Sequence, residues 1–300
     1  MSIRRHLRAT AAFAAVCCAS LGEASGAVAQ VTVTDDIGRS VSYAEAPARI
    51  VSLVPAVTEI VYSLEEGSRL AGRSVWDDYP PEVSSVPSVG DALRADAERV
   101  LAVNPDLVIL YAGADNSRSV QQFHRLGVPT LAIRIDDLDD LRRNITRLGA
   151  LLGRDSAAAA LWASIDGELT EVRRLHEGRL RPRVYYDVAW PPAITVGRGS
   201  YLDTLISIAG GENIFHDLAA PSPQVALESI AARSPELVLV PSGPGGSVAE
   251  PGQRPGWQAV GAVRDGAVRE VDGALLHRLG PRIGRAARAL AAVLQPRSAP

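Results

Sequence analysis

Short apolar runs alternate with longer amphipathic stretches along most of the chain. Runs of four or five apolar residues are typical of strands buried on both faces of a sheet, and apolar residues spaced three and four apart are typical of helices. In the first half this pattern predicts strands at residues 49–53, 107–110 and 130–133 and helices at residues 57–64, 117–126 and 138–152. This alternating order predicts an α/β fold with a parallel sheet covered on both faces.

The second half of the chain shows the same order of elements. Apolar runs predict strands at residues 183–186, 237–240 and 268–271, and amphipathic stretches predict helices at residues 201–209 and 280–294. Before the first of all these strands, residues 31–47 read as the start of a β-hairpin with a turn at Asp35-Asp36-Ile37-Gly38.

One stretch of the pattern occurs twice, 130 residues apart. Residues 97–110 and 227–240 each open with a short amphipathic helix that carries a glutamate, Glu98 or Glu228, at its start. A polar-Pro-acidic turn ends each helix, because proline cannot continue a helix and disfavours helical backbone in the residue before it. An apolar strand then follows. The repeat predicts two related Rossmann-like lobes, an arrangement that suggests a ligand held between them.

Residues 155–177 predict a single long helix between the two copies. Their apolar side chains recur at helical spacing, Arg154-Asp155-Ser156 offers an N-cap, and Gly178 suits the residue after the helix. At 1.5 Å per residue such a helix is about 35 Å long, the width of a lobe. We therefore expect an N-terminal lobe at 30–153, a connecting helix at 154–178 and a C-terminal lobe at 179–300, with little movement between the lobes.

The first 29 residues have the features of a cleavable secretory signal peptide. Three arginines precede a small apolar stretch, and Ala27-Val28-Ala29 is a small-x-small cleavage signal, so we expect export to the periplasm and cleavage before Gln30. Both cysteines, Cys17 and Cys18, lie in this segment, which predicts a mature chain without disulfides, thiolate nucleophiles or cysteine metal sites.

Composition excludes several function classes. The sequence contains no lysine, which removes the usual phosphate-binding P-loop and Schiff-base chemistry. Without residues 1–29 the net charge is near −5, which gives no electrostatic case for nucleic acid. No G-x-S-x-G elbow is present. A secreted enzyme that uses Asp77 and Asp78 is a distant alternative, disfavoured because adjacent side chains in an extended loop point to opposite sides.

Six short motifs extend over residues 49–283. They are RIVSLVPAVTE at 49–59, DYPPE at 78–82, NPDLV at 104–108, GGENIF at 210–215, PQV at 223–225 and PRI at 281–283. With these motifs the chain resembles the periplasmic solute-binding proteins of ABC importers whose lobes are joined by one rigid helix and which serve cobalamin, ferric siderophores and haem. DYPPE and PQV look most like the cobalamin-binding branch.

The ligand cleft is expected at loops that follow the carboxyl ends of the strands. Candidate ligand-binding residues there are Pro55, Trp76, Tyr79, Tyr111, Trp190, Ser222, His277 and Arg278. Arg278 matches a ligand-contacting arginine of the family, and His277 beside it suits an axial ligand to cobalt or iron. Ala92 and Ser222 stand where cobalamin binders can present tryptophans, and Ala274 replaces an expected acidic residue, so a haem or siderophore ligand stays open as the alternative.

The resemblance also implies a partner. In the family, one glutamate on each lobe pairs with arginines of the membrane permease, and Glu98 and Glu228 occupy those positions. Exposed acidic points can orient a docking protein and still allow its release. We therefore expect a monomeric binding protein rather than an enzyme, with no catalytic residue, no metal site and no resident cofactor, whose transported ligand is cobalamin or a related corrinoid.

Overall fold

The computed structural model describes residues 30–90, 95–243 and 250–295. The expected signal peptide at residues 1–29 and the departure at Ala92 lie outside these ranges. The described chain opens with an antiparallel pair, β1 (Val31–Thr34) and β2 (Ser40–Tyr43), whose turn is held by the Asp35 carboxylate. The hairpin predicted at residues 31–47 is thus confirmed.

The N-terminal lobe is a four-stranded parallel sheet in the order β4-β3-β5-β6. Apart from β4, which the apolar pattern does not predict, its strands and helices alternate as that pattern predicts. They are β3 (Ile50–Ser52), α1 (Pro55–Ser63), β4 (Leu70–Arg73), α2 (Ala97–Ala102), β5 (Leu107–Tyr111), α3 (Ser117–Arg125), β6 (Thr130–Ile133) and α4 (Leu138–Leu152).

The C-terminal lobe repeats this topology. Its parallel sheet has the order β10-β9-β7-β8, so in both lobes the first strand lies between the second and the third. Its elements are β7 (Arg183–Tyr186), α6 (Tyr201–Ile208), β8 (Glu212–Asn213), α7 (Leu227–Ala232), β9 (Leu237–Ser242), α8 (Gly261–Arg264), β10 (Val268–Asp272), α9 (Gly273–Leu276) and α10 (Ile283–Leu294). Short 3₁₀ turns lie at Gly67–Arg69, Pro81–Ser85, Ala114–Asn116, Pro251–Gln253 and Trp257–Ala259. The predicted α/β class with parallel sheets is confirmed.

The repeated sequence folds into a repeated local structure. The residue before the proline has positive φ in both copies, 45° at Asn104 and 46° at Ser234. In each lobe an arginine at or just before the first strand closes the turn: Arg49 donates to the Val103 carbonyl at 2.6 Å, and Arg183 donates to the Arg233 carbonyl at 2.5 Å. These bonds satisfy carbonyls at the end of a short helix, so the match extends to hydrogen bonding.

One long helix joins the lobes, as predicted. This helix, α5 (Asp155–His176), has 22 residues and is therefore about 33 Å long. Gly178 after it has φ of 70°, the left-handed conformation that suits glycine. The expected side-chain N-cap at residues 154–156 is wrong, because the helix begins at Asp155 and the capping residue Arg154 makes no side-chain cap bond.

Of the three buried hydrophobic clusters among the described residues, one extends through α5 into both lobes. Ile165 and Leu169 of α5 belong to the same buried cluster as Leu148 of the N-terminal lobe and Leu290 of the C-terminal lobe. Moving one lobe relative to the other would expose part of this apolar surface to water. The core thus supports the prediction of small lobe movement, which stays a prediction.

Candidate functional site

The carboxyl ends of the strands in the N-terminal lobe carry a loop that reaches the other lobe. This loop follows β4 and includes Trp76, Asp78 and Tyr79. Trp76 is 55% exposed, which is unusual for so large an apolar side chain. Buried Asp77 stabilises the loop. Its carboxylate accepts hydrogen bonds from the Ser74 backbone nitrogen at 2.7 Å and from the Ser74 hydroxyl at 2.5 Å. Burial raises the pKa of Asp77.

Arg278 of the C-terminal lobe binds this loop. Its guanidinium donates to the Trp76 carbonyl at 2.9 Å and pairs with the Asp78 carboxylate. It also lies 3.3 Å from the Glu59 carboxylate of α1. Three of the predicted ligand-binding positions, Trp76, Tyr79 and Arg278, are therefore grouped at the junction of the two lobes.

Glu59 is the centre of the junction and was not among the sequence candidates. It is 2% exposed, and Arg282 binds both of its carboxylate oxygens at 2.9 and 2.6 Å. The Arg282 guanidinium also stacks over the Tyr79 ring, 4.0 Å from its centroid. The helix predicted at residues 57–64 places Glu59 in its first turn, a position that the helix dipole favours anyway, whereas α1 begins at Pro55 and has no acid in its first turn. The available signal was the pairing of an acid in the 49–59 motif with the arginine of the 281–283 motif.

In the C-terminal lobe, the carboxyl ends of the strands carry a cluster of two tryptophans and a buried ion pair. Trp190 packs edge-on against Trp257, with ring centroids 5.4 Å apart. Arg254 stacks on Trp257 at 4.6 Å and on Trp190 at 5.7 Å, and its guanidinium forms a two-point ion pair with Asp187 at 3.1 and 2.5 Å. The two charged side chains are 1% and 0% exposed. Trp257 itself is fully buried.

The other predicted site residues have partners within their own lobes. The Tyr111 hydroxyl donates to Asp136 at 2.7 Å, and burial together with this carboxylate raises its pKa to about 12. The Tyr186 hydroxyl and His277 Nε2 lie 2.9 Å apart. Burial of part of the His277 ring lowers its pKa.

Ser222 and Pro55 complete the set. Ser222 is exposed, in a segment that pairs with the hairpin containing Trp190 through an antiparallel bridge of Gln224 to Ile194. Pro55 is the first residue of α1 and is half-buried. Together, the candidate residues offer aromatic rings and guanidinium groups, which suit the binding of a ligand.

Glu98 and Glu228 occupy equivalent positions. Each is the second residue of a six-residue helix, α2 or α7, and each side chain is exposed. Neither carboxylate takes part in a hydrogen bond or ion pair within the described chain. Both are therefore free to meet a partner at the surface.

The described residues contain neither a helix that could span a bilayer nor a cluster of metal ligands. Among residues 30–90, 95–243 and 250–295, no helix combines the length and the apolar character that crossing a bilayer requires. In the same ranges no three histidine, aspartate or glutamate side chains are grouped closely enough to hold a metal ion.

Comparison with known proteins identifies the family. The periplasmic binding protein profile matches residues 50–275. A vitamin B12-binding protein of Vibrio parahaemolyticus serotype O3:K6 is 30% identical over 191 residues, which cover 64% of this chain and 70% of that protein. The resemblance found from the motifs is confirmed.

Solved structures agree with this result. The periplasmic heme-binding protein RhuT of Roseiflexus sp. RS-1 in apo form gives a TM-score of 0.73 at 28% identity, covering 82% of this chain and 99% of that chain. The periplasmic vitamin B12 binding protein BtuF of Vibrio cholerae gives 0.68 at 26% identity, covering 83% and 97%. Since the family profile matches more than half of the chain, the protein belongs to the periplasmic binding protein family.

Proposed function

We propose that this protein is the substrate-binding component of an ABC importer and that it captures cobalamin or a related corrinoid between its lobes. The observation that carries the proposal is the junction of Trp76, Tyr79 and Arg278, contributed by both lobes. Aromatic rings provide a large contact area for a flat macrocycle at low entropic cost, and a guanidinium provides a directed polar contact. The vitamin B12-binding relatives support this ligand class.

The ligand has to compete for Arg278. Asp78 and the Trp76 carbonyl occupy its guanidinium at present, and the side chain of Asp78 is 55% exposed. An ion pair with so exposed a carboxylate is weak, so a ligand oxygen can replace Asp78 at little cost. The protein acts by binding and releasing the ligand unchanged, and no catalytic step is part of the proposal.

Haem is the second candidate, favoured by one local observation. His277 carries an imidazole, a known axial ligand of haem iron, and its Nε2 lies 2.9 Å from the hydroxyl of the fully buried Tyr186. Proteins that bind heme are also among the structural neighbours.

Calorimetric titration of the mature protein distinguishes the ligands. We expect heat on addition of cyanocobalamin and none on addition of haemin or a ferric siderophore. Arg278→Ala should weaken corrinoid binding about tenfold, because a charge-assisted hydrogen bond is lost. Heat with haemin or a siderophore and none with any corrinoid would contradict the ligand assignment and leave the importer role in place.

We further propose that the protein works in the periplasm and docks on its permease through Glu98 and Glu228. The doubled position and exposure of these residues support this role. We expect Glu98→Ala and Glu228→Ala to leave ligand affinity unchanged and to reduce ligand uptake by a reconstituted permease. Glu270→Ala serves as the matched control, since Glu270 is an exposed glutamate of the C-terminal lobe on β10, outside the repeated helices. Loss of ligand binding in a folded Glu98 or Glu228 variant would contradict the docking role.

A further inference from the structure

A second cavity lies at the opposite edge of the C-terminal sheet from the lobe junction. It is bordered by Pro182, which precedes β7, and by Leu237, the first residue of β9, whereas the junction lies beyond the carboxyl ends of the strands. Its volume is about 430 Å³, within the range of small-molecule sites. Side chains of α10, Ala291 and Leu294, contribute to an apolar lining.

The rim of this cavity is cationic. Arg179, Arg181 and Arg269 line it, and Arg173 and Arg174 line an adjoining cavity of about 530 Å³. Among the described residues, five arginines and two glutamates line the two cavities, although the whole chain has a net charge of −3.

Within the part of the chain that the structure describes, most of these arginines have no acidic partner. Arg174 pairs with Glu171, but Arg181 donates to the carbonyl and hydroxyl of Ser207, at 2.6 and 2.8 Å. Arg269 likewise donates to backbone carbonyls at 3.2 and 3.0 Å. The Arg179 guanidinium makes no hydrogen bond or ion pair within the described ranges. Uncompensated positive charge around an apolar cavity complements an anionic head group.

Two more features of the same region point to an occupant. His176 lines both cavities, and its Nδ1 binds the Val172 carbonyl at 2.8 Å while its buried Nε2 has no partner among the described residues. Buried polar atoms are rarely left unpaired. Leu180, which also lines the cavity, is 99% exposed between two arginines. An apolar side chain so fully in water is suited to contact with an apolar ligand group.

We propose that this cavity binds a single-chain amphiphile with an anionic head, such as a medium-chain fatty acid. The alkyl chain lies against Leu180, Leu237 and Leu294, and the head group lies among Arg179, Arg181 and Arg269. The site is separate from the lobe junction and does not depend on the ligand bound there.

Calorimetric titration with decanoate below its micellar concentration tests the site. We expect binding to the wild-type protein and about tenfold weaker binding to Arg179→Glu and to Arg269→Glu. Arg118→Glu is the matched control, because Arg118 is an exposed arginine of the N-terminal lobe that lines neither cavity. Leu180→Ser should weaken decanoate binding severalfold without affecting the fold, because Leu180 is already exposed.

Two further titrations separate the head group from the chain. Butyrate and inorganic phosphate should bind at least about tenfold more weakly than decanoate, because neither fills the apolar cavity. Cyanocobalamin at saturation should leave decanoate binding unchanged. Equal affinity for butyrate and decanoate, wild-type affinity in both arginine variants, or competition with the corrinoid would each overturn the proposal.

Discussion

The two lobes have the same topology but build their facing edges in different ways. In the C-terminal lobe, Trp190 is supported by Trp257 and by the buried Arg254–Asp187 pair, all within one lobe. In the N-terminal lobe, Trp76 is exposed, and its loop is tied through Arg278 to the opposite lobe. The edge of the C-terminal lobe is therefore held by contacts within that lobe, whereas the edge of the N-terminal lobe is held by contacts between the lobes.

The ion pairs at the two edges differ in how far they are exposed to solvent. A buried ion pair in fixed geometry has few ways to rearrange, and loss of either partner leaves an uncompensated charge. The Arg278–Asp78 pair can exchange its partner for water, because half of the Asp78 side chain is exposed. Glu59 is intermediate, since it is fully buried while the side chains of its two arginines are 15% and 16% exposed. We therefore expect the loss of stability on substitution to be largest for Asp187, smaller for Glu59 and smallest for Asp78.

Asp187→Ala should have the largest effect. It leaves the Arg254 guanidinium buried without its carboxylate, at a cost to the free energy of unfolding of about 3–5 kcal/mol. The position of Trp190 should change with it, which is measurable as altered tryptophan fluorescence of the folded variant. Urea unfolding followed by circular dichroism measures the stability.

A double variant, Asp187→Leu with Arg254→Met, is the control for this prediction. Replacing both charges with apolar groups removes the unpaired charge and should recover a large part of the lost stability. If Asp187→Ala unfolds within about 0.5 kcal/mol of the wild type, a value typical of surface positions, the buried pair does not fix this edge.

Glu59→Gln should have the next largest effect, about 2–3 kcal/mol, because both Arg278 and Arg282 lose a charge-assisted hydrogen bond. The loss concerns the contact between lobes, so small-angle scattering of the ligand-free variant should show a larger radius of gyration. Asp78→Asn is the matched control and should cost less than about 1 kcal/mol. A loss in Glu59→Gln no greater than that in Asp78→Asn would refute the central role of Glu59.

Much of the fold could be predicted because its signals are local. The turn at Asn104-Pro105-Asp106 and its copy at residues 234–236 depend on proline and on close neighbours, and the long helix depends on apolar spacing. Strand β4 (Leu70–Arg73) was missed, since two of its four residues are Ala and Gly, which are poor strand formers.

The site could be predicted only in part, because its contacts join distant residues. Glu59 and Arg282 are 223 positions apart, and their pairing requires both lobes to be in place. The burial of Trp257 likewise follows from Trp190 and Arg254 on other segments. By contrast, Trp76 and Tyr79 are candidates because they are aromatic residues of a predicted loop, and Arg278 is one because it matches a ligand-contacting arginine of the family. The structure groups the three at the lobe junction.

The smallest predicted effect on stability concerns His277, which lies beside Arg278 in the C-terminal lobe. Burial lowers the pKa of His277 below its ordinary value of 6.5, so the unfolded chain binds a proton more readily than the folded one as the pH falls. This contribution to stability is present above pH 6.5 and is lost as the pH decreases below it. For one group the slope cannot exceed about 1.4 kcal/mol per pH unit.

Comparison of the wild type with His277→Gln isolates this contribution from the other histidines. Gln keeps a hydrogen-bonding group near the Tyr186 hydroxyl but does not titrate, so stability measured from pH 7.5 to pH 5 should fall less steeply in the variant. His124→Gln is the control, since His124 is an exposed histidine near the end of α3 in the other lobe. If His277→Gln follows the wild-type curve across this range, His277 is not held neutral by burial. In that case His277 would be open to solvent, although the Arg254–Asp187 pair of the same lobe is buried.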